Sequence, residues 1–126
     1  MPLMRLAGLF GRHARAQTVE RVADRRQADV RVLEALRELG SDLAQPRAVR
    51  HFVSVPDRRG AELVAEVLER DGWSTSVQDD PDGGCLVVAA RAEKLSEPLV
   101  RRTRSRLETI AAEHGGLYDG WEVETT

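Results

Sequence analysis

One cysteine in 126 residues, Cys85, excludes an intrachain disulfide and with it the stapled scaffolds of small secreted domains. A reducing compartment fits that usage. Lysine is almost missing as well: of 19 basic residues all but Lys94 are arginine, a bias of composition that carries little functional weight. No apolar run approaches the roughly 20 residues of a membrane span. The opening Met1–Phe10 stretch is broken by Arg5 and is too short for a secretory core. A soluble, cytoplasmic chain is expected. Neither sign of charge dominates, and a formal net charge of −2 argues against wholesale binding of polyanions. With five aromatics in all, an exposed platform for stacking bases is not evident.

Chemistry-bearing motifs are scarce too. There is no Walker loop, dinucleotide fingerprint or nucleophile elbow. His13, His51 and His114 are far apart, and none pairs with another His or Cys at metal-ligand spacing. Asp79, Asp80 and Asp82 resemble a fragment of a calcium loop but lack the full ligand series, so a solvated turn is the simpler reading. Cys85 falls in an apolar strand and reads as a small hydrophobe, not a nucleophile. No metal or cofactor is expected.

What is present is segregated charge and a clear change of period. Residues 1–31 hold seven arginines against three acids, whereas residues 57–82 hold eight acids against three arginines. Residues 1–23 read as a basic extension, helical or disordered, and 24–124 as one α+β domain. A helix is expected from Gln17 or Asp24 to Leu39, on Val19, Val22, Val30, Leu33 and Leu36, with Gly40 as its stop. From Arg47 the period drops to two: Val49, His51, Val53 and Val55 alternate with Arg50, Phe52 and Ser54, and Pro56 ends the strand. Asp57 caps a second helix with the stripe Ala61, Val64, Ala65, Leu68, closed by Gly72.

A strand carrying Trp73, Thr75 and Val77 follows, then an Asp80–Gly84 hairpin turn and an apolar strand from Cys85 to Ala92. Ser96 caps a third helix with Val100, Thr103, Leu107, Ile110 and His114 on one side, and Gly115-Gly116 end it before a last strand, Tyr118–Glu124. Apart from the leading helix the order is β-α-β-β-α-β, that of a ferredoxin-like α+β sandwich with an additional N-terminal helix.

Three sites stand out. The terminal block Gly115-Gly116-Leu117-Tyr118-Asp119-Gly120-Trp121 places two of the five aromatics within four positions. Tyr and Trp join an apolar body to one polar handle, which suits a half-buried sheet edge and a protein interface equally. Tyr118, Asp119 and Trp121 are therefore candidate partner contacts; the alternative is that Trp121 closes the core at a sheet edge while Tyr118 bonds to a loop. The acids of the second helix, Glu62, Glu66 and Glu69, and of the turn, Asp79, Asp80 and Asp82, form a candidate docking surface. Arg101, Arg102, Arg104 and Arg106 on the third helix read as a solvated face. His51 has no second acid, base or oxyanion donor to complete a catalytic site, and a core or sheet-edge histidine hydrogen-bonded to backbone is the better reading.

The segments Gly40-Ser41-Asp42-Leu43, Pro46-Arg47-Ala48-Val49-Arg50-His51-Phe52, and Gly115-Gly116 with Tyr118-Asp119-Gly120-Trp121-Glu122 together resemble the RraB family, regulators of ribonuclease E activity. The likeness runs from about Asp24 to Glu124. It implies a ferredoxin-like fold, no enzymatic activity, and a protein inhibitor that binds ribonuclease E and alters RNA decay. The basic leader is an addition to that family pattern. Two other classes compete with it: an RNA-binding module using the arginines of residues 1–31 and the third helix, and a small-molecule enzyme built on His51. The oligomeric state is not set by the sequence.

Overall fold

A computed structural model describes residues 6–7, 19–38 and 45–124, with side chains over 27–38 and 45–124. The expected Gly40–Asp42 turn and most of the basic extension lie outside those residues. The elements run β1 (Leu6–Ala7), α1 (Val19–Glu38), β2 (Arg47–Val55), α2 (Arg58–Arg70), β3 (Ser74–Asp79), β4 (Cys85–Glu93), α3 (Glu97–Glu113) and β5 (Leu117–Val123). The class is α+β. The strands form one antiparallel sheet in the order β1-β5-β2-β4-β3.

Local chemistry explains the helix ends. The Asp57 carboxylate accepts from the Gly60 N–H at 2.6 Å, and the Ser96 hydroxyl accepts from the Leu99 N–H at 3.3 Å, so each satisfies a donor that the first helical turn leaves open. Both helices finish in the same motif. Trp73 N–H donates to Leu68 O and Gly72 N–H to Glu69 O; Gly116 N–H donates to Ala111 O and Gly115 N–H to Ala112 O. The second glycine of the α3 end has a separate cause. A Cβ at Gly116 would lie 2.1 Å from the Ser54 carbonyl oxygen, so the chain passes β2 at a distance no other residue allows.

The core lies on one face of the sheet. Val49, Val53 and Val55 of β2, with Val87 and Ala89 of β4, meet Ala61, Val64 and Leu68 of α2 and Leu107 and Ile110 of α3. Burying each of the larger side chains contributes roughly 1.5–3 kcal/mol. α1 adds Val32, Leu33 and Leu36 from outside, packing against α3.

Two features differ from the sequence expectation. β1 has no periodicity to announce it, because two residues cannot show one, yet it pairs Leu6 with Val123 and Ala7 with Glu122. β5 is consequently an internal strand, and Trp121 is in the interior instead of at a sheet edge. β5 also carries a bulge: Phe52 faces Gly120 while Val53 faces Tyr118, so Asp119 is the extra residue. Gly120, at φ +106°, supplies the backbone the bulge requires. Because of it, Tyr118 and Trp121, three apart, both turn into the core.

Candidate functional site

The buried face of the sheet holds a continuous polar chain. Asp29, on α1, accepts a bidentate pair from Arg104 of α3, Nε to Oδ2 at 2.6 Å and Nη2 to Oδ1 at 2.7 Å. Its Oδ1 also accepts from the Trp121 indole Nε1 at 2.7 Å. The Arg104 guanidinium stands 4.9 Å from the centre of the Tyr118 ring, and the Tyr118 hydroxyl lies 2.8 Å from His51 Nδ1. His51 is 3% exposed and Trp121 0%. Across the histidine, Nε2 is 3.9 Å from Glu93 Oε1, within ion-pair range but beyond a hydrogen bond. Glu93 Oε2 accepts from Arg91 Nη2 at 3.2 Å, and the Arg91 guanidinium lies 3.7 Å over the Trp73 ring. Thus α1, α3, β5, β2 and β4 are joined by one line of charges and rings.

Burial sets the protonation states along that line. Loss of water drives the His51 pKa below its ordinary 6.5; Glu93 nearby pulls the other way without prevailing. The ring is neutral at pH 7. For Glu93 burial favours the acid form, but the nearby His51 ring and the fixed charge of Arg91 outweigh it, and the pKa ends below 4.5. With His51 neutral, Arg91 is the partner that holds Glu93 ionised. Arg104 is stabilised as a cation by Asp29 against the cost of its own burial.

This arrangement corrects several sequence expectations. His51 bonds to a tyrosine hydroxyl on the neighbouring strand instead of to backbone, and Tyr118 reaches a strand instead of a loop. Arg104 belongs to the core, not to a solvated helix face. Its spacing signals this: Arg104 lies four residues after Val100 and three before Leu107, inside the buried stripe of α3. Tyr118 and Trp121 turn together into the core, while Asp119 is buried beside Ser54, in the alternate set of β2 residues. Asp119 accepts from the Ser54 hydroxyl, and neither ring shows an open face to solvent.

The acids behave differently. Glu62, Glu66 and Glu69 are exposed along α2, and Asp79 and Asp82 are exposed at the β3–β4 turn. Asp80 is separate from them: it is buried, and its Oδ1 accepts from the Asp82 N–H at 3.0 Å, shaping the turn. Two contacts tie the helix to the strand beside it, Arg58 to Asp79 at 3.3 Å and the Thr75 hydroxyl to Glu69 at 2.7 Å. The five exposed carboxylates therefore share one flank of the molecule.

A family profile, regulator of ribonuclease activity B, matches residues 26–123. The chain belongs to the RraB family. No individual curated protein matches it. The matched stretch contains every residue of the buried line, from Asp29 to Trp121 in chain order, and the whole acidic flank.

Other features of this RraB-family chain are less suited to a site. On α3, Arg101 pairs with Glu97 at 2.9 Å and Arg106 with Asp71 at 3.1 Å, so most of the helix's arginines are already engaged. A cleft of about 410 Å³ between α1 and α3 is lined by Asp29, Val30, Leu33 and Val100 among others. Another, of about 430 Å³, sits on the sheet near Ala48, Ala90 and Ala92. Neither includes His51. Among the described residues no helix is long and apolar enough to cross a membrane.

Proposed function

We propose that the protein binds a ribonuclease E-type endoribonuclease and restrains its cleavage of RNA, making and breaking no bond itself. The observation that carries this reading is the acidic flank. Glu62, Glu66, Glu69, Asp79 and Asp82 stand in water on adjoining elements of a chain whose family regulates ribonuclease activity. A nuclease handles RNA through cationic surface, and a carboxylate array competes for such surface at long range. Asp80 supports the array by fixing the turn. Tyr118, Asp119 and Trp121 support it from inside by fixing the sheet, so the partner meets a rigid body and not these rings.

In this reading the body over 24–124 is a ferredoxin-like sandwich, since β5-β2-β4-β3 is the strand order that two interleaved β-α-β units produce. Residues 1–23 add to it a basic stretch that includes β1 and the start of α1. The protein works in the cytoplasm on RNA decay. His51, sealed among Trp73, Tyr118 and Trp121, has no face left for a substrate, which supports a regulator over an enzyme. Purified protein added to a ribonuclease E cleavage assay is expected to form a complex and slow cleavage. Unchanged rates with no detectable complex would reject the proposal.

A further inference from the structure

The two edges of the sheet are unequal. β5 is covered by β1, whereas β3 pairs with β4 and, among the described residues, with no strand on its other side. The register shows which backbone groups are left open. Asp80 N–H donates to Gly84 O, and Asp80 lies opposite Gly84 in the same frame that pairs Ser76 with Val88 and Ser74 with Ala90. Ladder bonds alternate along an antiparallel pair. Gln78, Ser76 and Ser74 therefore direct N–H and C=O toward β4, while Thr75, Val77 and Asp79 direct theirs outward. Trp73, next in that outward set, already uses its N–H on Leu68 O.

Natural edge strands are commonly guarded by lysine, proline or a bulge. The Ser74-Thr75-Ser76-Val77-Gln78-Asp79 strand has none of these, and its one charge is at its end.

α2 runs alongside this edge. Arg58 reaches Asp79 at one end of β3 and Glu69 reaches Thr75 at the other. Residues three and four apart share a helix face, so Glu62 and Glu66 fall on the line between Arg58 and Glu69. Neither has a partner among the described residues. Four residues of helix rise about 6 Å. Two residues of strand rise about 6.7 Å. The carboxylates thus repeat at nearly the spacing of alternate side chains on a strand laid beside β3.

We propose that the β3 edge receives an extended peptide segment with arginine at alternate positions. The segment adds a sixth strand through the outward groups of Thr75, Val77 and Asp79 and places its guanidiniums on Glu62 and Glu66. This rests on the functional reading above and specifies how the acidic flank is used. A second copy of this chain is the poorer occupant, because its own β3 edge would bring the same carboxylates face to face.

The probe is a fluorescein-labelled peptide, Arg-Val-Arg-Val-Arg-Val-amide, compared by anisotropy with the block isomer Arg-Arg-Arg-Val-Val-Val-amide and with the alternating peptide N-methylated at every residue. Expected is at least tenfold tighter binding of the alternating peptide than of either comparison. Val77→Pro removes an outward N–H without touching the β4 ladder, a place where proline is tolerated, and is expected to weaken the alternating peptide at least tenfold. Equal binding of all three peptides to the intact protein would overturn strand addition while leaving a charge-only acidic surface. A nuclease complex with no peptide binding would overturn this inference alone, and loss of both would overturn the function as well. Two other results would also refute it: a single-stranded oligonucleotide binding at the same edge, or a dimer in sedimentation that Val77→Pro dissociates.

Discussion

The inside of the sheet and its acidic flank use charge for opposite ends. Along the buried line, charges are matched at close range: Asp29 with Arg104, Glu93 with Arg91. On the flank, Glu62 and Glu66 have nothing to match them among the described residues. A buried ion costs several kcal/mol to desolvate and is kept where its partner is fixed, so it holds the body in one arrangement. An exposed carboxylate is nearly free of that cost and remains open to a partner. The difference teaches that the most conspicuous residues of the sequence, its clustered aromatics, lie inside the scaffold, while ordinary glutamates such as Glu62 and Glu66 form the surface to which the proposed function assigns recognition.

The contrast is broken most severely from inside. Asp29→Ala leaves a buried guanidinium and the Trp121 N–H without their acceptor, and is expected to cost about 3–5 kcal/mol in urea unfolding. Glu62→Lys/Glu66→Lys/Glu69→Lys sharpens the contrast from outside. Its unfolding midpoint is expected to move little, about 0.5 kcal/mol or less per site. Its affinity for the nuclease is expected to fall at least tenfold and to lose most of its salt dependence, read by titration at two ionic strengths.

Protonation gives a third, smaller effect. Native His51 stays neutral below its ordinary pKa of 6.5 while the unfolded chain takes up a proton, so stability is expected to fall as pH drops through about 6.5. Below pH 4.5 a further loss is expected as Glu93 is protonated, because its native pKa is the lower one. His51→Gln should remove the first part of that slope; urea midpoints at pH 7.5 and 5.5 measure it. The smallest effect is expected for Asp57→Ala, about 1 kcal/mol for the lost helix cap, with no change in nuclease binding.

Much of the scaffold is written locally in the chain. Asp57 and Ser96 mark helix starts, Gly72 and Gly115-Gly116 mark ends, and the alternation from Val49 to Val55 marks a two-faced strand, because each depends on neighbours within a few residues. The Asp29–Arg104 pair spans 75 residues and has no local signature beyond the place of Arg104 in an apolar stripe. β1 is too short to be periodic, and without it the terminal strand looks like an edge. The bulge at Asp119 was equally hidden, although the Asp119-Gly120 pair between two aromatics is the kind of sequence that makes one. At the candidate site the exposure of Glu62, Glu66 and Glu69 followed from helical spacing. The inward turn of Tyr118 and Trp121 did not, since alternation alone would place residues three apart on opposite faces.

The most direct measurement is a calorimetric titration of the nuclease with two folded variants, Trp121→Phe and Glu66→Lys, each verified by near-ultraviolet circular dichroism. Trp121→Phe removes the indole N–H from Asp29 while keeping a ring in the core, and binding equal to wild type is expected; Glu66→Lys is expected to weaken the complex several-fold. The reverse result, a complex that depends on Trp121 and ignores Glu66, would contradict the division between a scaffold inside and a recognition surface outside.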